Sequence, residues 1–205
     1  MKSLTFISLV ALLAQFAPTL AVPNVTVVPL GSTNCASWPG SRGGAPFYIK
    51  VDQSEDSGID GLFTSTRDFN YTGFSGTNVI IDLRKSTRFA KVYYSCSGAG
   101  IVKYLFQSNT PITVAKDFRN AYPTFGSAGY KLEPYAHEID GVRQPGVFLG
   151  ARNLTTWGFN YVRETTCGQI DYYSAKLQGL PIDPDTETRA TYDPEFFGFL
   201  KAEQV

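Results

Sequence analysis

What this chain lacks narrows its function more than what it holds. It has a single histidine, His137, so a zinc or copper site built on two or three imidazoles cannot form within one chain. Only 18% of its residues are charged, and 18 basic residues balance 18 acidic ones. With no dense basic cluster, nothing in the charge pattern draws it to nucleic acid. Beyond residue 21 no apolar run is long enough for a membrane-spanning helix, and no polybasic or lipidation signal appears. The Gly-x-Ser-x-Gly elbow of serine hydrolases is missing too, since Gly73-Phe74-Ser75-Gly76 and Gly126-Ser127-Ala128-Gly129 both depart from its spacing. A Ser-His-Asp triad would have to use His137 with Glu138 or Asp140; a hydrogen-bonded or exposed loop histidine is the plainer expectation. The sequence implies no cofactor.

Cysteine is scarce. Cys35, Cys96 and Cys167 are the three in the chain, too few for a disulfide-dense miniprotein and enough for one intramolecular bridge. Three pairings are open. Cys96 with Cys167 is the expected one, because each ends a β-like segment, KVYYSC and NYVRETTC. That bridge would be worth about 3 to 5 kcal/mol in the chain-entropy account. Cys35 would then be buried or paired with another molecule.

The first 21 residues form the clearest signal present. Lys2 precedes an apolar run from Leu4 to Phe16, Pro18 follows, and Thr19-Leu20-Ala21 offers small residues for cleavage. This is the layout of a secretory signal peptide over residues 1–21, leaving a single domain over 22–205 in an extracellular setting, with the cell wall as one location. Three Asn-x-Thr triplets, at Asn24, Asn70 and Asn153, fit a secreted glycoprotein, and their acceptors should face water on turns or strand ends.

Within 22–205, short runs of β-branched and aromatic residues alternate with clusters of Gly, Pro, Asn, Asp and Ser. Strands are expected over 25–30, 47–51, 79–83, 89–94, 101–106, 112–115, 147–150, 157–163, 170–174 and 196–201. One short helix is expected over 115–121, and the 181–194 segment would let the last strand return across the fold. The regular spacing predicts an all-β domain, an antiparallel sandwich or barrel. Period-two alternation is clearest in WGFNYVR, where Trp157, Phe159 and Tyr161 share one face.

Two chemistries follow from the residues present. Glycosidases need paired carboxylates. Glu164 and Asp171 flank a predicted turn among tyrosines, and Asp82, set between apolar strand residues, is a third candidate. Aromatic residues point instead to recognition. Twelve Tyr, fifteen Phe and two Trp exceed what a small core needs, and tyrosine suits wet binding surfaces. Trp157, Tyr161, Tyr172 and Tyr173 are the candidate ligand contacts, with Tyr172 and Tyr173 pointing to opposite faces of their strand. Oxygen-rich alternation at Asp52, Ser54 and Asp56, and at Asp183, Asp185 and Glu187, is of the kind calcium uses, but neither loop is an EF-hand and solvated turns explain both. The leading expectation is a secreted, non-catalytic, effector-like or carbohydrate-binding protein whose partner is an extracellular polysaccharide or a host or cell-surface protein. A small extracellular glycan hydrolase and a structural cell-wall protein are the alternatives.

Overall fold

The computed structural model describes residues 21–31, 46–71, 74–83, 92–97, 100–103, 110–116, 121–163, 171–181 and 194–205. Residues 1–20 of the segment read as the signal peptide, the second acidic loop, Cys35, Glu164 and Cys167 lie outside the described residues. So does the centre of the expected helix, 117–120; no helix occurs among the described residues.

The domain is all-β. Fifteen strands form one antiparallel sheet that curls into a half-barrel. Its hub is the last strand, β15 (Phe196–Gln204), which lies in the middle of the sheet. One edge of β15 pairs first with β13 (Thr156–Val162) and then with β12 (Val147–Gly150); the other edge pairs with β2 (Phe47–Asp52). From β13 the sheet continues through β14 (Tyr172–Leu177) and β4 (Phe74–Asp82) to β3 (Thr64–Tyr71). From β12 it continues through β10 (Glu133–Ile139) to β1 (Thr26–Pro29). The two-residue β11 (Val142–Arg143) also pairs with β10. Beyond β2 lie β5 (Tyr94–Ser97) and β6 (Gly100–Lys103); beyond β4 lie β7 (Ile112–Val114), β8 (Thr124–Phe125) and β9 (Tyr130–Lys131).

Local chemistry accounts for the tight corners. Asp140 and Gly141 both take left-handed φ, 52° and 76°, as a two-residue hairpin loop needs to match the strand twist between β10 and β11. Arg152 and Asn153 do the same at 56° and 60°, in a turn closed by reciprocal Ala151 and Leu154 backbone bonds of 3.0 and 2.9 Å.

Curling puts the main core on the concave face. Ile49, Val51, Ile81, Tyr94, Leu149, Trp157, Phe159, Leu177 and Leu200 are among its fully buried members. The Tyr94 hydroxyl bonds Thr64 Oγ1 at 2.9 Å in the interior, a partner that a buried phenol requires. A second aromatic group, Tyr135, His137, Phe148 and Phe199, is buried through the opposite face of β10, β12 and β15. Cys96 is disulfide-bonded, and both other cysteines fall outside the described residues.

Candidate functional site

The concave face carries a row of rings along β13 and its neighbours. Directly paired residues share a face, so Trp157 sits with Leu177 and Gly198, Phe159 with Ala175 and Phe196, and Tyr161 with Tyr173. Exposure rises along this row. Trp157 and Phe159 are fully buried, whereas Tyr161, Tyr173 and Phe196 are half-buried at the end of the strands. Tyr173 lies edge-on to both neighbours, with ring centroids 5.6 Å from Tyr161 and 6.2 Å from Phe196. These three rings form a half-buried aromatic cluster at the end of the strands, called the mouth below.

Polar groups fix the mouth. The Tyr161 hydroxyl donates to Asp171 Oδ2, a bond that pushes its pKa up, with Arg163 acting in the opposite direction. Tyr161 N donates to Glu195 Oε1 at 3.2 Å, and Glu195 N donates to Phe159 O at 3.1 Å. The 53–61 loop closes the other side. Phe197 N donates to Glu55 Oε2 at 2.9 Å and Glu55 N donates to Phe197 O at 3.0 Å, continuing the β15 edge where β2 has ended. Gly198 permits this approach: a Cβ there would stand 3.1 Å from both Ser54 Cα and Phe159 Cε2. Burial pushes the Tyr173 pKa up, and Asp56 and Glu195 add to the rise.

The structure corrects two of the sequence-derived site residues and divides the rest. Trp157 cannot meet a ligand, because it is fully buried and its Nε1–H donates to Leu149 O at 2.9 Å inside the core. Tyr172 faces away from the mouth, with the Arg67 guanidinium 4.9 Å from its ring. Tyr161 and Tyr173 do come together. Phe196 was missed, although its place opposite Phe159 makes it the third ring of the mouth.

Asp82 is paired with Tyr172 across β4 and β14 and so lies on the face opposite Tyr173; it is 1% exposed. Asp171 meets Tyr161 at the mouth, so Asp82 and Asp171 cannot flank one sugar ring; Glu164, the remaining candidate carboxylate, lies outside the described residues. The first acidic loop is occupied by the protein itself. Asp52 pairs with Lys201 at 3.3 Å, Ser54 Oγ donates to Phe197 O at 3.3 Å, and Asp56 Oδ1 accepts Gly58 N at 2.7 Å. Among the described residues no three His, Cys, Asp or Glu side chains converge as a metal site would need.

His137 is neither exposed nor near a catalytic acid. It is fully buried, stacked on Phe148 at 3.7 Å between centroids, with Nε2 2.8 Å from Thr155 Oγ1 and Nδ1 without a partner. Burial lowers its pKa to about 4, and the Lys201 charge adds to that. Its strand neighbour Glu138 points to the other face, as β alternation requires.

A second concavity, an open cleft of about 360 Å³, lies between residues 23–27, 153–156 and 178–179. Asn24 and Asn153 both line it and are both exposed, while Asn70 lies near the end of β3. No protein-family model matches this chain, and no curated protein matches its sequence.

Proposed function

We propose that this chain is a secreted, glycosylated recognition protein that binds an extracellular polysaccharide, without catalysis, through Tyr161, Tyr173 and Phe196. The observation that carries the reading is the row of three half-buried rings whose deeper continuation, Phe159 and Trp157, is locked in the core. Rings anchored this way lose little conformational freedom on binding, and phenol hydroxyls can meet sugar hydroxyls while ring faces cover sugar C–H surface. The carboxylates at the mouth are spent on backbone and tyrosine contacts, which suits positioning more than proton transfer.

The glycan acceptors fit the same reading. Among the described residues β1 pairs on one side only, and open strand edges invite association with other chains. Asn24 lies two residues before β1, and Asn153 shares its cleft. Glycans at Asn24 and Asn153 would shield the β1 edge.

The test uses purified secreted protein with a panel of insoluble wall polysaccharides, following depletion from the supernatant and release of reducing sugar together. Depletion without release is the expected result. Release of sugar would overturn the non-catalytic reading, and no depletion by any polysaccharide would overturn the ligand class.

A further inference from the structure

The open cleft of about 360 Å³ lies where the segment leading into β1 meets residues 153–156 and 178–179. None of the residues that line it is charged. Pro23, Val25, Val27 and Leu154 give it half-buried apolar surface, while Thr156 and Gln178 bring a hydroxyl and an amide. Its volume falls at the small end of ligand sites, which run from about 300 to 1,000 Å³. Two Asn-x-Thr acceptors, Asn24 and Asn153, line it as well, and both are exposed. Of the two, Asn153 is firmly held. Its φ is 60° and its backbone N donates to the Tyr135 hydroxyl at 3.0 Å. Reciprocal Ala151 and Leu154 backbone bonds close the turn around it, and Thr155 Oγ1 lies 2.8 Å from Nε2 of the buried His137. Asn24 lies instead in irregular chain before β1.

A charged ligand would find no counter-charge in this cleft, and a purely apolar one would take water from Thr156 and Gln178 without replacing it. The N-linked glycan that an Asn-x-Thr triplet accepts begins with an N-acetylhexosamine, a neutral sugar with C–H surface, an acetamido methyl and several hydrogen-bonding groups. Such a sugar matches both kinds of lining. Linked to Asn153, it is also tethered at the cleft, so its effective concentration there is high, and the fixed turn lowers the cost of ordering it. We propose that the cleft seats the chain's own glycan: the first sugar on Asn153 lies in it, with ring and acetamido C–H groups on Val25, Val27 and Leu154 and polar groups toward Thr156 and Gln178. The sugar then bridges the 151–155 turn and the segment leading into β1. It ties down an edge strand that among the described residues pairs with β10 alone. This rests on the glycosylated reading above.

The experiment uses the full chain secreted from a host that adds N-glycans, with Thr26→Val and Thr72→Val to silence Asn24 and Asn70. Thr26 is exposed and does not line the cleft. Glycans are trimmed to the single sugar next to asparagine, mass spectrometry reads occupancy of Asn153, and thermal melting is compared with the same chain from a host that adds none. The expected result is a Tm higher by about 3 °C in the single-sugar form, a gain that Val25→Asp abolishes by putting a charge in the cleft. An equal gain with and without Val25→Asp, or none in either, would overturn the seat while leaving the glycan in place. If the sugar gives no gain and the sugar-free chain forms dimers that Val25→Asp disperses, the occupant is a second copy and the seat is likewise overturned. Where the sugar-free chain does not melt cooperatively, nuclear Overhauser contacts between sugar protons and the Val25 or Val27 methyls decide: their presence supports the seat and their absence overturns it. An unoccupied Asn153 would overturn the glycosylated reading there and the seat with it.

Discussion

Acid should destabilise this domain through one residue. His137 is neutral in the fold because burial, and then the Lys201 charge, lower its pKa from 6.5 to about 4. Lys201 is itself held by Asp52 at 3.3 Å, and the other faces of the imidazole meet Phe148, Phe199 and the Thr155 hydroxyl. No carboxylate touches the ring to stabilise the cation. Between pH 6.5 and 4 the unfolded chain therefore binds more protons than the folded one, and stability rises with pH across that window. The contribution is fully present above about pH 6.5, is lost as pH falls, and is exhausted near pH 4. The whole shift corresponds to about 3 kcal/mol, of which about 2 kcal/mol is lost by pH 5. Since the chain has no second histidine, the slope between pH 6.5 and 5 belongs largely to this group. Urea unfolding at half-unit pH steps, for the natural chain and His137→Gln, measures it. The variant should be less stable at pH 7 and nearly flat over the same interval. Identical slopes in both proteins, or an imidazole NMR titration centred near 6.5, would refute the argument.

Other outcomes follow from the same contacts. Trp157→Ala removes a fully buried indole and should cost about 3 to 5 kcal/mol in denaturant unfolding, while a folded Trp157→Phe protein should retain ligand binding. Gly150→Ala should destabilise by about 1 to 3 kcal/mol, since its Cβ would overlap the Leu154 backbone carbonyl, and a thermal melt reads this directly. Reduction of the Cys96 bridge should cost about 4 kcal/mol, the loops to Cys35 and Cys167 being of similar length, and peptide mapping under non-reducing conditions is expected to join Cys96 to Cys167. Glycosylated protein treated with an endoglycosidase should associate more readily on mild heating, as light scattering would detect; unchanged scattering would count against edge shielding.

Much of the sheet is legible in the sequence where a strand has one apolar face. The strands around 26–29, 47–52, 147–150, 156–162 and 196–204 follow from alternation and β-branched or aromatic residues. β3 and the first half of β4 were hidden because the residues that form them are polar and glycine-rich, though the second half of β4 falls in the strand expected over 79–83; the two strands are held by each other's backbone along an eight-residue register. β10 was hidden for the opposite reason. EPYAHEI contains Pro134 and is buried on both faces over 134–137, which erases the period-two pattern.

The candidate site was partly legible. Alternation correctly put Trp157, Phe159 and Tyr161 on one face and split Tyr172 from Tyr173, but depth along the face depends on which strands lie alongside. That is why Trp157 is core and Tyr161 is mouth. Phe196 joins through register with Phe159, and Asp56 and Glu195 arrive from distant loops, information that local sequence does not contain.

The central claim is that binding occurs on the concave face at the mouth, and adjacent tyrosines on opposite faces of β14 provide the control. The measurement is the affinity of natural, Tyr173→Ala and Tyr172→Ala proteins for one retained polysaccharide, with far-ultraviolet circular dichroism confirming that each is folded. The account predicts that Tyr173→Ala weakens binding about tenfold or more while Tyr172→Ala leaves it within about twofold. Equal losses, or a larger loss for Tyr172→Ala, would contradict it.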